Sequence, residues 1–311
     1  MTRHALLIPA LLSLALLIAP VAANAVDAPS NAQLVKDAHP TLATGALACA
    51  RLAELPAGTI LRSGEIKITQ KDLDAEIGKA PEAVRPQLKR NLFFVLESKA
   101  TRVFLNYEAA DWAKQNKTAS GSGQDDLVKA YVASLTGNLS VSDGESKAFF
   151  DKNKDMVGGA TFDQVKDQLK DYLLSQKQQD AVNAHIAATG ERYQIDVNKS
   201  WTAKQNSAAM DNPIDKARIS GKPTMVDLGA DGCRPCDMMA PILESLKKDY
   251  AGKANVLFVH VRKEQILAAR YGVQSIPVQV FFDKDGKEVF RHVGFFPKDQ
   301  ITAKLAELGA K

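Results

Sequence analysis

The stretch Thr224-Met225-Val226-Asp227-Leu228-Gly229-Ala230-Asp231-Gly232-Cys233-Arg234-Pro235-Cys236 decides how this chain is read. Thr224 to Leu228 has the character of a buried strand, and the two cysteines follow it where a helix opens. A thiolate is the attacking form of cysteine, and the N–H groups and partial positive charge of a helix amino terminus stabilise it. Cys233, nearer that terminus, is therefore expected to be the exposed nucleophile that forms a mixed disulfide. Cys236, one turn deeper, is expected to resolve it. Arg234 adds a fixed positive charge beside the nucleophile. Pro235 gives up an N–H that has no helical partner in the first turn, and it stiffens the spacing of the two sulfurs.

Two other readings compete. A zinc site needs two further ligands, and Cys49, His260 and His292 supply no second closely spaced pair. A static disulfide between residues this close spans too short a loop to constrain the unfolded chain much.

Outward from the pair, a helix is expected from Pro213 to about Ser220, ended by Gly221. A helix near Arg234, a strand at 255–261, a helix near 263–271, a strand at 278–282, a turn at Asp285-Gly286, a strand at 288–292 and a helix at 298–308 follow. Strands that alternate with helices and finish in a hairpin indicate an α/β sheet with helices on its faces.

At these residues the chain resembles thioredoxin over about 213–311. The likeness is carried by Lys222-Pro223, Val226-Asp227, Cys233-Arg234-Pro235-Cys236, Ala240-Pro241-Ile242-Leu243-Glu244, Tyr271-Gly272-Val273, Ser275-Ile276-Pro277, Phe282 through Glu288, and Val293-Gly294. The resemblance implies that Cys233 and Cys236 form a redox-active disulfide and that Pro277 is a cis-proline facing them. It also implies that Asp227 is a buried carboxylate serving the resolving thiol, with a pKa raised by burial. Arg234, Pro235 and Ile276 are then the substrate-contacting residues. Three departures stand out: Gly232 replaces the tryptophan usual before the first cysteine, Phe258 falls near the place of a lysine, and Arg-Pro replaces Gly-Pro between the cysteines. The direction of exchange is left open by the sequence.

Upstream, residues 45–200 read as mostly helical with a short stranded element at each end. Thr59-Ile60-Leu61 and Ile66-Lys67-Ile68 form a small hairpin, and Thr69 caps a helix running to Ile77. One long amphipathic helix is expected over 83–116. The segment Ala119-Ser120-Gly121-Ser122-Gly123 breaks it. Ser142 with Glu145, and Thr161 with Gln164, are capping-box signatures opening two more helices, the second running to Gly190, before a strand at 193–197. Cys49 is expected as a buried free thiol in an Ala-rich helical stretch from Leu42 to Leu55.

Over 58–198 this pattern resembles the amino-terminal domain of SurA-type periplasmic chaperones. The residues concerned are Gly64 through Thr69 before Asp72-Leu73, Gln87-Leu88-Lys89, Val141-Ser142-Asp143 before Phe149-Phe150, Phe162 through Lys166, Tyr172-Leu173 and Gln176 through Gln179. What it implies is a module that cradles unfolded polypeptide. No segment has parvulin character, so prolyl isomerase activity is not carried over.

Residues 1–25 read as a cleaved export signal: Arg3 gives a basic start, Ala5 to Val21 is apolar, and Ala23-Asn24-Ala25 supplies small residues at the cleavage site. The mature chain is then expected outside the cytoplasm, in the periplasm of a Gram-negative source, with no membrane span after cleavage. The 311 residues leave room for two cores. Their 45% hydrophobic and 24% charged composition excludes collagen-like and wholly disordered classes. Forty Lys and Arg against 36 Asp and Glu give a net charge of +4 with no basic block, so nucleic acid is not an expected partner.

The expected fold is an α+β two-domain chain: a mainly α-helical SurA-N-like domain over 26–197, a linker over 198–212 and an α/β thioredoxin fold over 213–311. The expected function is disulfide exchange with client polypeptides through Cys233 and Cys236, reset by a redox partner, with no metal and no cofactor besides the cysteine pair. The alternative is a folding chaperone whose thioredoxin-like part is mainly a binding module.

Overall fold

The computed structural model of the protein describes residues 32–42, 45–116, 123–154 and 159–310. The expected export signal lies outside the described residues, as does the Gly-Ser break apart from Gly123.

The first half begins with α1 (Val35–Ala38), a 3-10 turn (Ala46–Cys49) and β1 (Arg51–Ala53). This corrects the helix expected from Leu42 to Leu55: even the high helix propensity of alanine is a small energy per residue, and tertiary pairing overrides it here. Arg51 N donates to Ile195 O at 2.8 Å, and the Arg51 guanidinium sits 2.7 Å from the Asp196 carboxylate. Cys49 is half-buried rather than buried, with Lys36 Nζ at 3.6 Å from its sulfur.

The hairpin of β2 (Thr59–Ser63) and β3 (Ile66–Thr69) follows, turning at Gly64 with φ 53°, a conformation glycine adopts without steric cost. Thr69 then caps α2 (Gln70–Lys79) in a capping box with Asp72. The single helix expected over 83–116 is two, α3 (Arg85–Arg90) and α4 (Leu92–Gln115). Asn91 separates them: its Nδ2 donates to Gln87 O at 2.8 Å, a local side-chain bond that competes with the helical ladder.

Next come α5 (Gln124–Thr136), α6 (Asp143–Lys152), the 31-residue α7 (Phe162–Arg192) and β4 (Asp196–Asn198). Both capping boxes form, Ser142 with Glu145 and Thr161 with Gln164. Near its end α7 lies so close to the 3-10 turn that a Cβ on Gly190 would fall 2.1 Å from Ala46 O, so only glycine fits. The strands form a sheet in the order β1-β4-β2-β3, with β1 and β4 parallel. Its core contains Leu47, Leu61, Leu73, Phe93, Leu96, Phe104 and Ile195.

Residues 198–212, expected as a connector, hold α8 (Lys199–Ala209). Asn198 caps it by accepting from Trp201 N at 2.9 Å, and Ala209 and Trp201 join the first core. The polar composition concealed this because only one side of the helix packs.

The second half runs α9 (Pro213–Arg218), β5 (Thr224–Gly229), α10 (Arg234–Asp249), β6 (Asn255–His260), α11 (Gln265–Arg270), β7 (Val278–Phe282), β8 (Glu288–Val293) and α12 (Lys298–Glu307). The sheet order is β6-β5-β7-β8, parallel between β5 and β6 and antiparallel elsewhere. Side chains alternate between its faces. Met225 and Phe281 pack with Met239, Leu243 and Leu246 of α10 and with Ile301 and Leu305 of α12. Val226, Leu228, Val280 and Phe282 pack on the other face with Ile214 and Leu267. The chain is thus α+β, with an α/β region at its carboxy-terminal end. Among the described residues no helix is long and apolar enough to cross a membrane.

Candidate active site

Strand β5 is buried along its whole length and delivers the chain to the start of α10. Gly232, at φ 72°, makes the turn between them. Cys233 is the N-cap residue of α10, half-buried, and Cys236 lies one turn in at 6% exposure. The two form a disulfide with their Cα atoms 5.2 Å apart. Arg234 is exposed and Pro235 half-buried at the opening of the helix. When the disulfide is reduced, a Cys233 thiolate sits at the positive end of a 16-residue helix, where attack on an external disulfide is favoured.

The segment before β7 faces the pair. The Ile276–Pro277 bond is cis, and the carbonyl oxygen of half-buried Ile276 lies 3.7 Å from Cys233 Sγ. Ile276 thus stands beside the Cys233 sulfur with the cis bond to Pro277 next in the chain, while Arg234 and Pro235 follow Cys233 in the first turn of α10. Met238, on the first turns of the same helix, is 48% exposed.

Asp227 is fully buried on β5. Burial pushes its carboxyl up to about 6, while a hydrogen bond from Gln279 Nε2 to Oδ1 at 2.7 Å acts in the opposite direction. Facing it across β6 is Phe258, so no cation stands in that place. Two residues on, Gly229 lies against Cys236: a Cβ there would meet the Cys236 sulfur at 3.3 Å and the Phe258 ring at 3.2 Å. A cavity of about 210 Å³ is lined by Cys236, Phe258, Ala230 and Leu243 together with the exposed Asp231, Asp237 and Glu244. At its mouth His260 Nε2 lies 3.0 Å from Asp231, holding that exposed carboxyl below its ordinary range.

Two residues of the site escaped the sequence reading. Gln279 left a signal, a lone amide in the otherwise apolar run from Val278 to Phe282. Gly229, beside the cysteine pair, left only its lack of a side chain.

Residues 210–309 match the family model of the thioredoxin-like domain. A thioredoxin of Staphylococcus aureus is 42% identical over 89 residues, 29% of this chain and 85% of that protein. Among solved structures, a mutant thioredoxin from Halobacterium salinarum is 30% identical, over 32% of this chain and 83% of that one, with a TM-score of 0.29. The exposed lipoprotein thioredoxin of Streptococcus pneumoniae is 25% identical over 30% and 89% of the two chains, with a TM-score of 0.27. The family and the cysteine pair agree on thiol–disulfide oxidoreductase chemistry at the start of α10. Through its carboxy-terminal third, this chain belongs to the thioredoxin family.

Proposed function

We propose that the protein is an exported thiol–disulfide oxidoreductase that exchanges disulfides with client polypeptides through Cys233 and Cys236. The observation that carries the reading is the placement of Cys233 at the amino terminus of α10, 3.7 Å from the Ile276 carbonyl oxygen, with Cys236 bonded behind it. Cys233 attacks a client disulfide, and Cys236 then attacks Cys233 and releases the client. Reading the cycle backwards, the oxidised pair donates a disulfide to a client dithiol. A separate redox partner resets the pair in either direction.

The helical part, SurA-like in pattern, holds the client as an extended chain. Support comes from α7, whose apolar stripe of Val165, Leu169, Leu173 and Val182 is only half-buried, and from the exposed Tyr107 and Tyr172 in the helical part. The sequence features of residues 1–25 support export.

The test equilibrates the protein carrying Cys49→Ser with glutathione redox buffers. A potential of about −270 mV identifies a reductant that needs an electron supply, and one of about −120 mV identifies a disulfide donor. Cys233→Ser should abolish exchange while retaining suppression of client aggregation. Unchanged exchange in that variant would refute the assignment of the nucleophile, and failure of the pair to cycle at all would favour a chaperone without redox activity.

A further inference from the structure

Four side chains form one row across the second sheet. Asp227 pairs in register with Phe258 on β6 and with Gln279 on β7, and Gln279 pairs with His292 on β8. Residues two apart on a strand share a face, so Asp227 lies on the same side as Gly229, the position against which Cys236 packs. The row therefore runs beneath the resolving cysteine, one residue pair deeper in the sheet.

Asp227 and Gln279 are both fully buried. A buried carboxyl needs hydrogen bonds to hold it, and here a neutral amide supplies one. Gln279 Nε2 donates to Oδ1 at 2.7 Å, while Oδ2 has no partner among the described residues. An apolar residue at 279, as its neighbours Val278 and Val280 are, would leave both oxygens unheld and the carboxyl free to rotate. We propose that Gln279 is a positioning residue for the resolving step: it fixes Asp227 through Oδ1 so that Oδ2 is the oxygen that takes the Cys236 proton.

This inference rests on the disulfide-exchange function proposed above and adds a residue to it. In the resolving step the Cys236 thiol gives its proton to Asp227, and the Cys236 thiolate attacks Cys233 Sγ of the mixed disulfide. The Cys233–Cys236 bond forms as the Cys233–client bond breaks. The client sulfur leaves as a thiolate that takes a proton from solvent. Over the whole cycle two electrons pass from the dithiol to the client disulfide.

The titratable groups near this step are few. Cys236 packs against Gly229 on the face of the sheet that Asp227 shares, and Asp237, Glu244 and Lys247 of α10 line the cavity beside it. His292 on β8, held with its Nε2 at 3.0 Å from Phe295 O, stands beyond Gln279 in the row, and burial pushes its pKa down. His260, paired with Asp231, lies at the open end of β6. Lys304 of α12 sits over the Phe290 ring on the same face.

The test follows the reduced full chain carrying Cys49→Ser as it reacts with dithiobis(nitrobenzoate) in stopped flow. The first thionitrobenzoate released reports attack by Cys233, and the second reports resolution by Cys236. The second phase should show an inflection near pH 6 that Asp227→Asn removes. Gln279→Leu should move that inflection upward by about one pH unit, because the lost donor favoured the carboxylate, and slow the second phase several-fold at pH 6. The pH profile of the first phase should stay in place. An inflection that stays where it was, or equal changes in both phases, would overturn the positioning role. If Gln279→Leu does not fold, Gln279→Met, of similar length and without a donor, carries the same expectation. Persistence of the first phase in Cys233→Ser would instead overturn the underlying function, leaving the two failures distinct.

Discussion

The Cys236 sulfur lies 3.3 Å from the place where the first side-chain carbon of a larger residue at position 229 would come, closer than ordinary van der Waals contact. Gly229 is not in the left-handed region, so the glycine is there for space and not for backbone freedom. On its other side the Phe258 ring, 42% exposed, can yield, whereas Cys236 is held by helix and disulfide. Gly229→Val should therefore destabilise the oxidised protein by about 1 to 3 kcal/mol through overpacking. Denaturant unfolding measures this, and a variant as stable as the parent would mean that α10 shifts freely on the sheet.

Asp227 sets a pH dependence of stability. Its folded carboxyl is pushed up to about 6 from the ordinary 3.8, so between those values the native state binds more protons than the unfolded chain. The contribution is fully present below about pH 4 and is lost as pH rises through about 6. Asp227→Asn removes the burial of a charge at neutral pH. Relative to its effect at pH 4, the variant should gain roughly 2 to 3 kcal/mol at pH 7. Unfolding curves at the two pH values check it, and an equal effect at both would contradict the burial argument.

Asp215 is fully buried, and the Arg270 guanidinium lies 3.2 Å from it while also donating to Asn91 Oδ1 and Ala209 O at 3.1 Å. One side chain thus ties α9, the end of α8 and the α3–α4 break to α11. Arg218 at 3.3 Å, the Tyr271 O–H at 2.7 Å and Asn212 Nδ2, donating at 2.6 Å, also hold the carboxylate. Arg270→Met should cost about 3 kcal/mol, because it leaves a fully buried carboxylate with Arg218 as its one remaining cation among the described residues and Oδ2 without its charged donor. Asp215→Asn in the same chain should recover part of that loss, a coupling that a double-mutant cycle reads directly.

The Ser142 capping box is local by contrast. Ser142 Oγ accepts from Glu145 N at 3.2 Å and the Glu145 carboxylate accepts from Ser142 N at 2.9 Å. Ser142→Ala should lower thermal stability by about 1 kcal/mol and leave the glutathione equilibrium of the cysteine pair unchanged. A shift in that equilibrium would reveal coupling between α6 and the redox site.

The sequence by itself determined whatever rests on bonds between near neighbours. Ser142 with Glu145 and Thr161 with Gln164 start helices through contacts three residues apart, and such spacing is visible in the chain. The cysteine pair after a buried strand is legible for the same reason, since one turn of helix places both sulfurs. Tertiary structure alone decided what depends on which segment is laid beside which. Arg51–Ala53 became a strand because Asp196, 145 residues away in sequence, pairs with it. The helix expected over 83–116 breaks at Asn91, whose oxygen meets Arg270, 179 residues away. Gln279 meets Asp227 across 52 residues of chain only because β7 lies antiparallel to β5 in that register. A shift by one residue would turn the amide to the opposite face of the sheet. Sequence spacing thus placed the two sulfurs of the disulfide, and register between distant strands decided which buried group stands beside Asp227.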